Sequence, residues 1–211
     1  MREGAASRLR PVRWTGEHVG ILGGTFDPPH VGHIVAAVHV RHALSLERVL
    51  VVPAHVPWQK RGVRALSAVA DRLAMTRAAF ADLDGIEVST IELDRGGDTY
   101  TVDTLEELRS ARPNDDHWLI VGSDVAAHLD TWRRPETVRA LARLVVYERP
   151  GAVGHRPPHG WSFDLVEVPL LDVSSSALRE RVHLGAPIDG LVPPAVAAIV
   201  RDRALYRETA A

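Results

Sequence analysis

The chain contains no cysteine among its 211 residues. Disulfide bonds and thiolate metal sites are therefore excluded, and we expect a reducing, cytoplasmic location. Long hydrophobic runs are also missing. None approaches the roughly 18 residues that a membrane span needs, so we expect no membrane partner. Neither sign of charge dominates, since the formal net charge is −2. Without a broad basic surface to attract phosphates, we predict no nucleic-acid partner.

The composition that is present is that of an ordinary globular protein, with 45% hydrophobic and 25% charged residues. The length suits one α/β domain with a sizeable core. The first 18 residues carry four arginines but no apolar block that could act as a signal peptide. We therefore predict a flexible N-terminal extension over residues 1–18 and a single domain over residues 19–211.

The stretch 19–33 has the pattern of a strand, a tight turn and the start of a helix. An apolar run leads into Gly23 and Gly24, and a Pro-Pro turn then leads to His30 and His33. Glycines let a ligand approach the backbone, and a helix N-terminus offers unpaired N–H groups, so the stretch favours a phosphate. The predicted inner stripe of the helix consists of Val31, Ile34, Val35 and Val38.

The two histidines suit the chemistry of nucleotidyl transfer. His30 and His33 are one helical turn apart, so both rings can face the same side. Each can donate a hydrogen bond near neutral pH and, when protonated, a positive charge. Nucleotidyl transfer needs the triphosphate held in line and its developing charge stabilised. Gly32 would let a base, ribose or phosphate lie against the helix. Taken alone, the pair could equally be surface histidines or half of a metal site.

Strand and helix patterns alternate along the rest of the chain. Apolar strand patterns occur at 48–53, 86–91, 118–121, 143–147 and 164–169, and a final helix is predicted over 192–206. This alternation predicts a Rossmann-like, doubly wound parallel α/β sheet of about five strands with a small helical C-terminal part. Ligands bind such sheets at the carboxyl ends of the strands.

Several of these strand ends carry candidate ligand contacts. Asp124 could contact a ribose hydroxyl, cap the next helix or do both. Trp132, in a polar setting, either covers a core edge or offers a flat face to a ring, and the residues alone favour the core edge. Lys60, in the loop 54–66, is a candidate phosphate contact, although such a lysine is more often simply solvated. Thr101 or Thr99 could cap the helix that follows.

A second helix start with phosphate-binding character is predicted after the last strand. The run Ser174, Ser175 and Ser176 supplies an N-cap and further hydroxyl groups. Arg179 lies about one turn into this helix, where its forked guanidinium could return to the same phosphates. Many helices start with two serines, so this pattern alone is weak evidence.

Three of these segments resemble known motifs, and the likeness spans residues 19–206. Gly-Gly-Thr-Phe-Asp-Pro-Pro-His-Val-Gly-His, at 23–33, resembles the nucleotidyltransferase signature that ends in His-x-Gly-His. Val-Ser-Ser-Ser-Ala-Leu-Arg, at 173–179, resembles the second signature of that superfamily, with serine for threonine and valine for isoleucine. Arg-Gly-Gly-Asp-Thr-Tyr-Thr-Val-Asp-Thr-Leu, at 95–105, resembles a segment of the nicotinate mononucleotide adenylyltransferases.

This resemblance implies transfer of the adenylyl group of ATP to nicotinate mononucleotide, with Mg²⁺ held mainly by the ATP phosphates and no protein metal site. It implies catalytic roles for His30, His33 and Arg179. The implied ATP site is Gly23, Gly24, Thr25, Phe26, His30, Gly32, His33, Gly122, Asp124, Ser174, Ser175 and Arg179. The implied mononucleotide site is Thr25, Lys60, Thr101, Trp132 and Arg149, with Thr101 at the nicotinate carboxylate and Trp132 stacked on the pyridine ring.

Other functions stay open at this point. A nicotinamide mononucleotide or phosphopantetheine adenylyltransferase would share the scaffold, although the phosphopantetheine enzymes usually lack the 95–105 segment. A nucleotide-binding regulator or a histidine-rich metal protein would do no chemistry, but the eleven histidines are scattered. The sequence is compatible with a homo-oligomer and does not decide between the acid and the amide substrate.

Overall fold

The computed structural model describes residues 16–57 and 66–207. The strands are β1 (His18–Gly24), β2 (Arg48–Pro53), β3 (Val56–Pro57), β4 (Ile86–Val88), β5 (Asp98–Thr99), β6 (Asp116–Gly122), β7 (Arg143–Tyr147) and β8 (Phe163–Val166). The helices are α1 (Val31–Ala43), α2 (Val69–Phe80), α3 (Ile91–Arg95), α4 (Thr101–Ala111), α5 (Ser123–Ala126), α6 (Pro135–Leu141), α7 (Ser175–His183) and α8 (Pro194–Asp202). A 3-10 helix spans Leu129–Thr131.

Six of these strands form one parallel sheet in the order β4-β2-β1-β6-β7-β8. Counted in chain order, this is the 3-2-1-4-5-6 arrangement of a doubly wound sheet, whose strand order reverses between β1 and β6. The predicted Rossmann-like fold is confirmed, with six strands where about five were expected. The short strands β3 and β5 pair in parallel as a separate ribbon.

The sheet is covered on both faces, and each face has its own apolar core. Successive residues of a strand point to opposite sides, so in β6 Ile120 packs into one core and Leu119 into the other. The first core includes buried side chains of α1, α2, α7 and α8. The second includes buried side chains of α4, α5 and α6. This two-sided cover explains why the strands are continuously apolar in sequence.

The predicted inner stripe of α1 is wrong at Val38, which is 40% exposed. The side chains that α1 buries completely are Ala36, Ala37 and Val40. Short alanine side chains allow a helix to pass close over a sheet, so burial follows the docking orientation and not the largest apolar residues. Val31 and Ile34 are partly buried against the same core, as predicted.

Some strands and helices begin or end at residues other than those predicted. The strand expected over 86–91 ends at Val88, and Ile91 begins α3 instead. The last strand ends at Val166, and the final helix ends at Asp202. β1 begins at His18, while residues 1–15 of the predicted extension lie outside the described residues. Within the described ranges, no helix is long and apolar enough to cross a membrane.

Candidate active site

A cavity of about 290 Å³ lies at the carboxyl ends of β1 and β6, where the strand order reverses. This is the position at which open α/β sheets bind their ligands. Nine of the residues that the sequence assigned to a site line it: Gly23, Gly24, Thr25, His33, Thr101, Gly122, Asp124, Trp132 and Arg149. Segments far apart in the chain therefore meet at one opening.

The two histidines stack at the start of α1. Their ring centroids are 3.8 Å apart, and the edge of Phe26 packs on His33 at 5.0 Å. The backbone N–H of His30 donates to Nδ1 of His33 at 3.2 Å. A nitrogen that accepts a hydrogen bond carries no proton, so this bond selects the neutral tautomer of His33 with its proton on Nε2.

His30 is also a neutral group at physiological pH. The side chain is 2% exposed, and burial, reinforced by the nearby Arg149 guanidinium, lowers the pKa of His30 to about 3. A phosphate bound here, as predicted, would receive hydrogen bonds but no positive charge from His30, so the charge would have to come from arginine and from the N-terminus of α1.

The N-terminus of α7 is held against the loop that precedes α1. Ser174 caps α7, accepting from the N–H of Ala177 at 3.1 Å. The Ser175 hydroxyl donates to the Pro28 carbonyl at 2.8 Å. The Arg179 guanidinium donates to the Asp27 carbonyl, also at 2.8 Å. The two helix starts predicted from separate motifs are thus joined by direct hydrogen bonds.

The carboxylate of Asp27 ties three parts of the chain together. Asp27 is 1% exposed, and the Tyr206 hydroxyl, beyond α8, donates to its Oδ1 at 2.7 Å. The N–H of Ser67 donates to Oδ2 at 3.4 Å. Burial and the adjacent carboxylate raise the pKa of the Tyr206 phenol far above its usual range. Its hydroxyl therefore stays protonated and keeps the C-terminal segment attached to the loop before α1.

A further part of the cavity is lined by side chains from α3, α4 and the segment after the 3-10 helix. The predicted threonine cap of α4 is wrong, because Tyr100 is the N-cap and Thr101 is already the first helical residue. Trp132 follows the 3-10 helix. Thr101 and Trp132 belong to the cavity lining, together with Glu92 and Thr104. Glu92 is 6% exposed and accepts a hydrogen bond from the Thr104 hydroxyl at 2.7 Å. An aromatic plane and several hydroxyl groups suit a flat, polar ring.

Comparison with known proteins agrees with this geometry. The cytidylyltransferase-like family model matches residues 21–181. A protein of Frankia casuarinae named "Probable nicotinate-nucleotide adenylyltransferase" is 46% identical over 189 residues, which cover 88% of this chain and 98% of that protein. One of the same name from Streptomyces coelicolor is 45% identical over 88% of this chain and 99% of its own. This chain belongs to the nicotinate-nucleotide adenylyltransferase family.

A solved structure shows the same fold. It is described as Plasmodium falciparum nicotinic acid mononucleotide adenylyltransferase complexed with NaAD. The TM-score is 0.74 over 90% of this chain and 97% of that chain, at 19% identity.

Not every predicted site residue of this family member lines the cavity. Lys60 is outside the described residues, and the predicted residues that do not line the cavity are Phe26, His30, Gly32, Ser174, Ser175 and Arg179. Of these, His30 and Gly32 line a separate, smaller cavity. Gly32 is in a tight position, since a Cβ there would come within 3.1 Å of the His30 ring and 3.2 Å of Val173. Packing thus gives a reason for this glycine, and its contact with ATP stays a prediction.

Gly122 has a comparable structural reason next to the cavity. A Cβ at this position would lie 2.5 Å from Oδ1 of Asp124 and 2.6 Å from Cδ of Arg149. Real Cβ atoms do not approach neighbours so closely, so a side chain at 122 would displace both charged groups. The glycine therefore allows Asp124 and Arg149 to reach the same opening.

Sequence reasoning missed Arg72, a buried arginine of α2. It is 1% exposed, and its guanidinium donates to the carbonyl groups of Thr25, Ala54, His55 and Ser67 at 2.6–3.2 Å. One side chain thus holds the loops after β1 and β2 and the segment before α2. A signal existed, because Arg72 shares its helical spacing with the buried residues of α2, which include Met75, Thr76, Ala79 and Phe80.

The buried neutral state of His30 predicts an acid-sensitive fold. Its pKa is lowered from 6.5 to about 3, so in this interval the unfolded chain binds the extra proton and stability falls as the pH falls. We expect a loss of about 2 kcal/mol in the free energy of unfolding by pH 5, at about 1.4 kcal/mol per pH unit. Urea titrations of the wild type and of His30→Asn between pH 5 and 8 measure it.

Comparison of the two proteins isolates His30 from other titrating groups. Burial also lowers the pKa of His117, which adds a change of the same sign to both proteins. The His30→Asn variant should therefore lose less stability on acidification than the wild type. If the free energy of unfolding fell equally with pH in both proteins, the pKa of His30 would not be lowered in the folded state.

Proposed function

We propose that this protein transfers the adenylyl group of ATP to nicotinate mononucleotide, giving deamido-NAD and pyrophosphate. The observation that carries the proposal is the meeting of two helix starts beside one cavity. The start of α1 presents His33, and the start of α7 brings Arg179 to the loop before α1. Thr101 and Trp132 line the same cavity, where a pyridine ring could lie. The names of the relatives support the same substrates.

In the proposed reaction the 5′-phosphate of the mononucleotide attacks the α-phosphorus of ATP directly. A new oxygen–phosphorus bond forms, the bond from the α-phosphorus to the bridging oxygen breaks, and pyrophosphate leaves with that electron pair. The N–H on Nε2 of His33, the N-terminus of α1 and Arg179 would stabilise the growing negative charge. Asp124 would hold the ribose, and Gly23 and Gly24 would let the nucleotide approach the backbone.

Magnesium is proposed to enter with ATP. Among the described residues, no group of three His, Asp or Glu side chains could hold a metal ion by itself. An ion bound mainly by the triphosphate would supply charge neutralisation for the leaving pyrophosphate.

The decisive assay is release of pyrophosphate from ATP that depends on added mononucleotide. We expect EDTA to abolish release and Mg²⁺, but not Zn²⁺, to restore it. A purely nucleotide-binding regulator or a zinc protein would release none. Values of kcat/KM for nicotinate and nicotinamide mononucleotide, measured side by side, decide between acid and amide, and a preference for the amide would contradict the proposed substrate.

Trp132→Ala tests the pyridine site separately. An aromatic stack contributes about 0.5–1.5 kcal/mol beyond area burial, so we expect KM for nicotinate mononucleotide to rise about tenfold while KM for ATP stays nearly constant. Trp132→Phe keeps an aromatic face and should recover most of the loss. Equal changes in KM for both substrates would indicate that the indole does not contact the pyridine ring and only covers an edge of the core.

A further inference from the structure

Glu92 places a carboxyl group in the wall of a cavity that is proposed to bind a ring bearing a carboxylate. It lies in the short helix α3, is 6% exposed, and lines the same cavity as Thr101 and Trp132. Nicotinate mononucleotide carries a carboxylate on its pyridine ring, and its amide counterpart does not. An ionised Glu92 would repel that carboxylate, and the amide would not experience this repulsion.

Hydroxyl groups hold this carboxyl group in place. The Thr104 hydroxyl of α4 donates to Oε1 at 2.7 Å, and the Thr99 hydroxyl of β5 is near enough to lower the pKa of the carboxyl group. Thr99 itself accepts from the backbone N–H of His55 at 3.1 Å. Glu92 therefore links α3 to α4 close to the residue pair Thr99 and Thr101. Its position is determined by packing and is not that of a mobile surface side chain.

The neighbouring cation is engaged elsewhere. Arg95 donates to the Thr104 hydroxyl oxygen at 2.9 Å and to Glu107 at 2.8 Å, and no ion pair to Glu92 occurs within the described part of the chain. Other titratable or charged groups on the cavity wall are His33, Asp124, Tyr147 and Arg149. Because Arg95 pairs with Glu107, it compensates the negative charge of an ionised Glu92 only in part.

Burial, together with these neighbouring groups, places the pKa of Glu92 in the neutral range. Burial raises the pKa of Glu92 to about 7, with the Thr104 hydroxyl, Arg95 and the Thr99 hydroxyl acting against it and Glu107 adding to it. Both charge states are therefore populated under assay conditions near neutrality.

We propose that Glu92 is a specificity-determining residue for the pyridine nucleotide. With a proton on the Glu92 carboxyl group, the cavity accepts the nicotinate carboxylate. Without that proton, the cavity loses its preference for the acid over the amide. The inference rests on the proposed function, because it assumes that the ring lies beside Thr101 and Trp132.

The test is the ratio of kcat/KM for nicotinate mononucleotide to kcat/KM for nicotinamide mononucleotide, measured with saturating ATP from pH 6 to 9. Titration of ATP and of the 5′-phosphate affects both substrates alike and cancels in the ratio. We expect the wild-type ratio to fall about tenfold with a midpoint in the neutral range, the size expected for two like charges in a partly screened cavity. Glu92→Gln should give a ratio that does not change with pH.

Two further variants assign the effect to this group. Glu107→Gln removes a nearby negative charge that is outside the cavity and should keep most of the fall in the ratio. Thr104→Val removes a hydrogen bond that stabilises the ionised Glu92, so it should move the midpoint of the fall to higher pH. This variant also tests the assignment if Glu92→Gln does not fold.

Two outcomes would overturn the inference: a wild-type ratio that does not change with pH, or the same fall in Glu92→Gln as in the wild type. Neither would contradict the proposed function, since adenylyl transfer would still be observed. Absence of transfer to both mononucleotides at every pH would instead overturn the proposed function.

Discussion

Replacing His33 with alanine is expected to lower kcat about 100- to 1,000-fold, the usual cost of removing one hydrogen-bond donor from developing transition-state charge. His33 lines the cavity, and the backbone of His30 holds its ring with the proton on Nε2. The measurement is the rate of pyrophosphate release at saturating ATP and mononucleotide.

The fold should survive this change. Alanine at 33 removes one acceptor for the His30 N–H, comparable to losing a helix cap and worth about 1 kcal/mol. His39→Ala is the matched control, because His39 is exposed on the same helix. We expect that control to retain wild-type turnover. Near-normal turnover in the His33 variant would remove this residue from the mechanism.

Replacing Arg72 with methionine is expected to cost about 3–5 kcal/mol in the free energy of unfolding, because backbone carbonyls that were satisfied by one guanidinium lose their donor. Four carbonyl groups bond this side chain, which is 1% exposed. At roughly 2–4 °C per kcal/mol for a chain of this size, Tm should fall by about 10 °C. Thermal melting monitored by circular dichroism measures it.

Two variants sharpen this test. Arg77→Met changes an exposed arginine of the same helix and should leave Tm within about 2 °C, since surface substitutions usually stay within ±0.5 kcal/mol. Arg72→Lys keeps the charge but cannot reproduce the planar fork of donors, so it should recover part of the stability. Equal Tm values for Arg72→Met and Arg77→Met would show that the carbonyl groups find other donors.

Local sequence signals located most of the candidate site because of one geometric fact. The carboxyl ends of parallel strands meet at the same edge of a sheet, so motifs at the ends of β1 and β6 had to be neighbours once the alternation of strands and helices was recognised. The structure places Gly23, His33, Gly122 and Asp124 at one cavity in agreement with that reasoning. The identity of the ligands they contact stays a prediction.

Local sequence patterns did not predict which side chains are buried where burial depends on how a helix packs on the sheet. Val38 has the spacing of an inner residue but is 40% exposed, because the orientation of α1 places alanines against the sheet. Arg72 and Glu92 are of types that are rarely buried, so residue type alone argues for the surface. Their partners lie in other segments, such as Thr25 for Arg72 and Thr104 for Glu92.

By itself, the sequence determined the alternation of the main strands and helices, the position of the 23–33 and 122–124 motifs at strand ends, and the type of chemistry that those motifs are predicted to support. These properties depend on hydrophobic periodicity and on residues that are close in the chain. The tertiary structure alone decided that Tyr206 bonds Asp27, that His30 is neutral and that Glu92 lies in the cavity wall. Each of these follows from desolvation and from contacts between distant segments, which have no local signature.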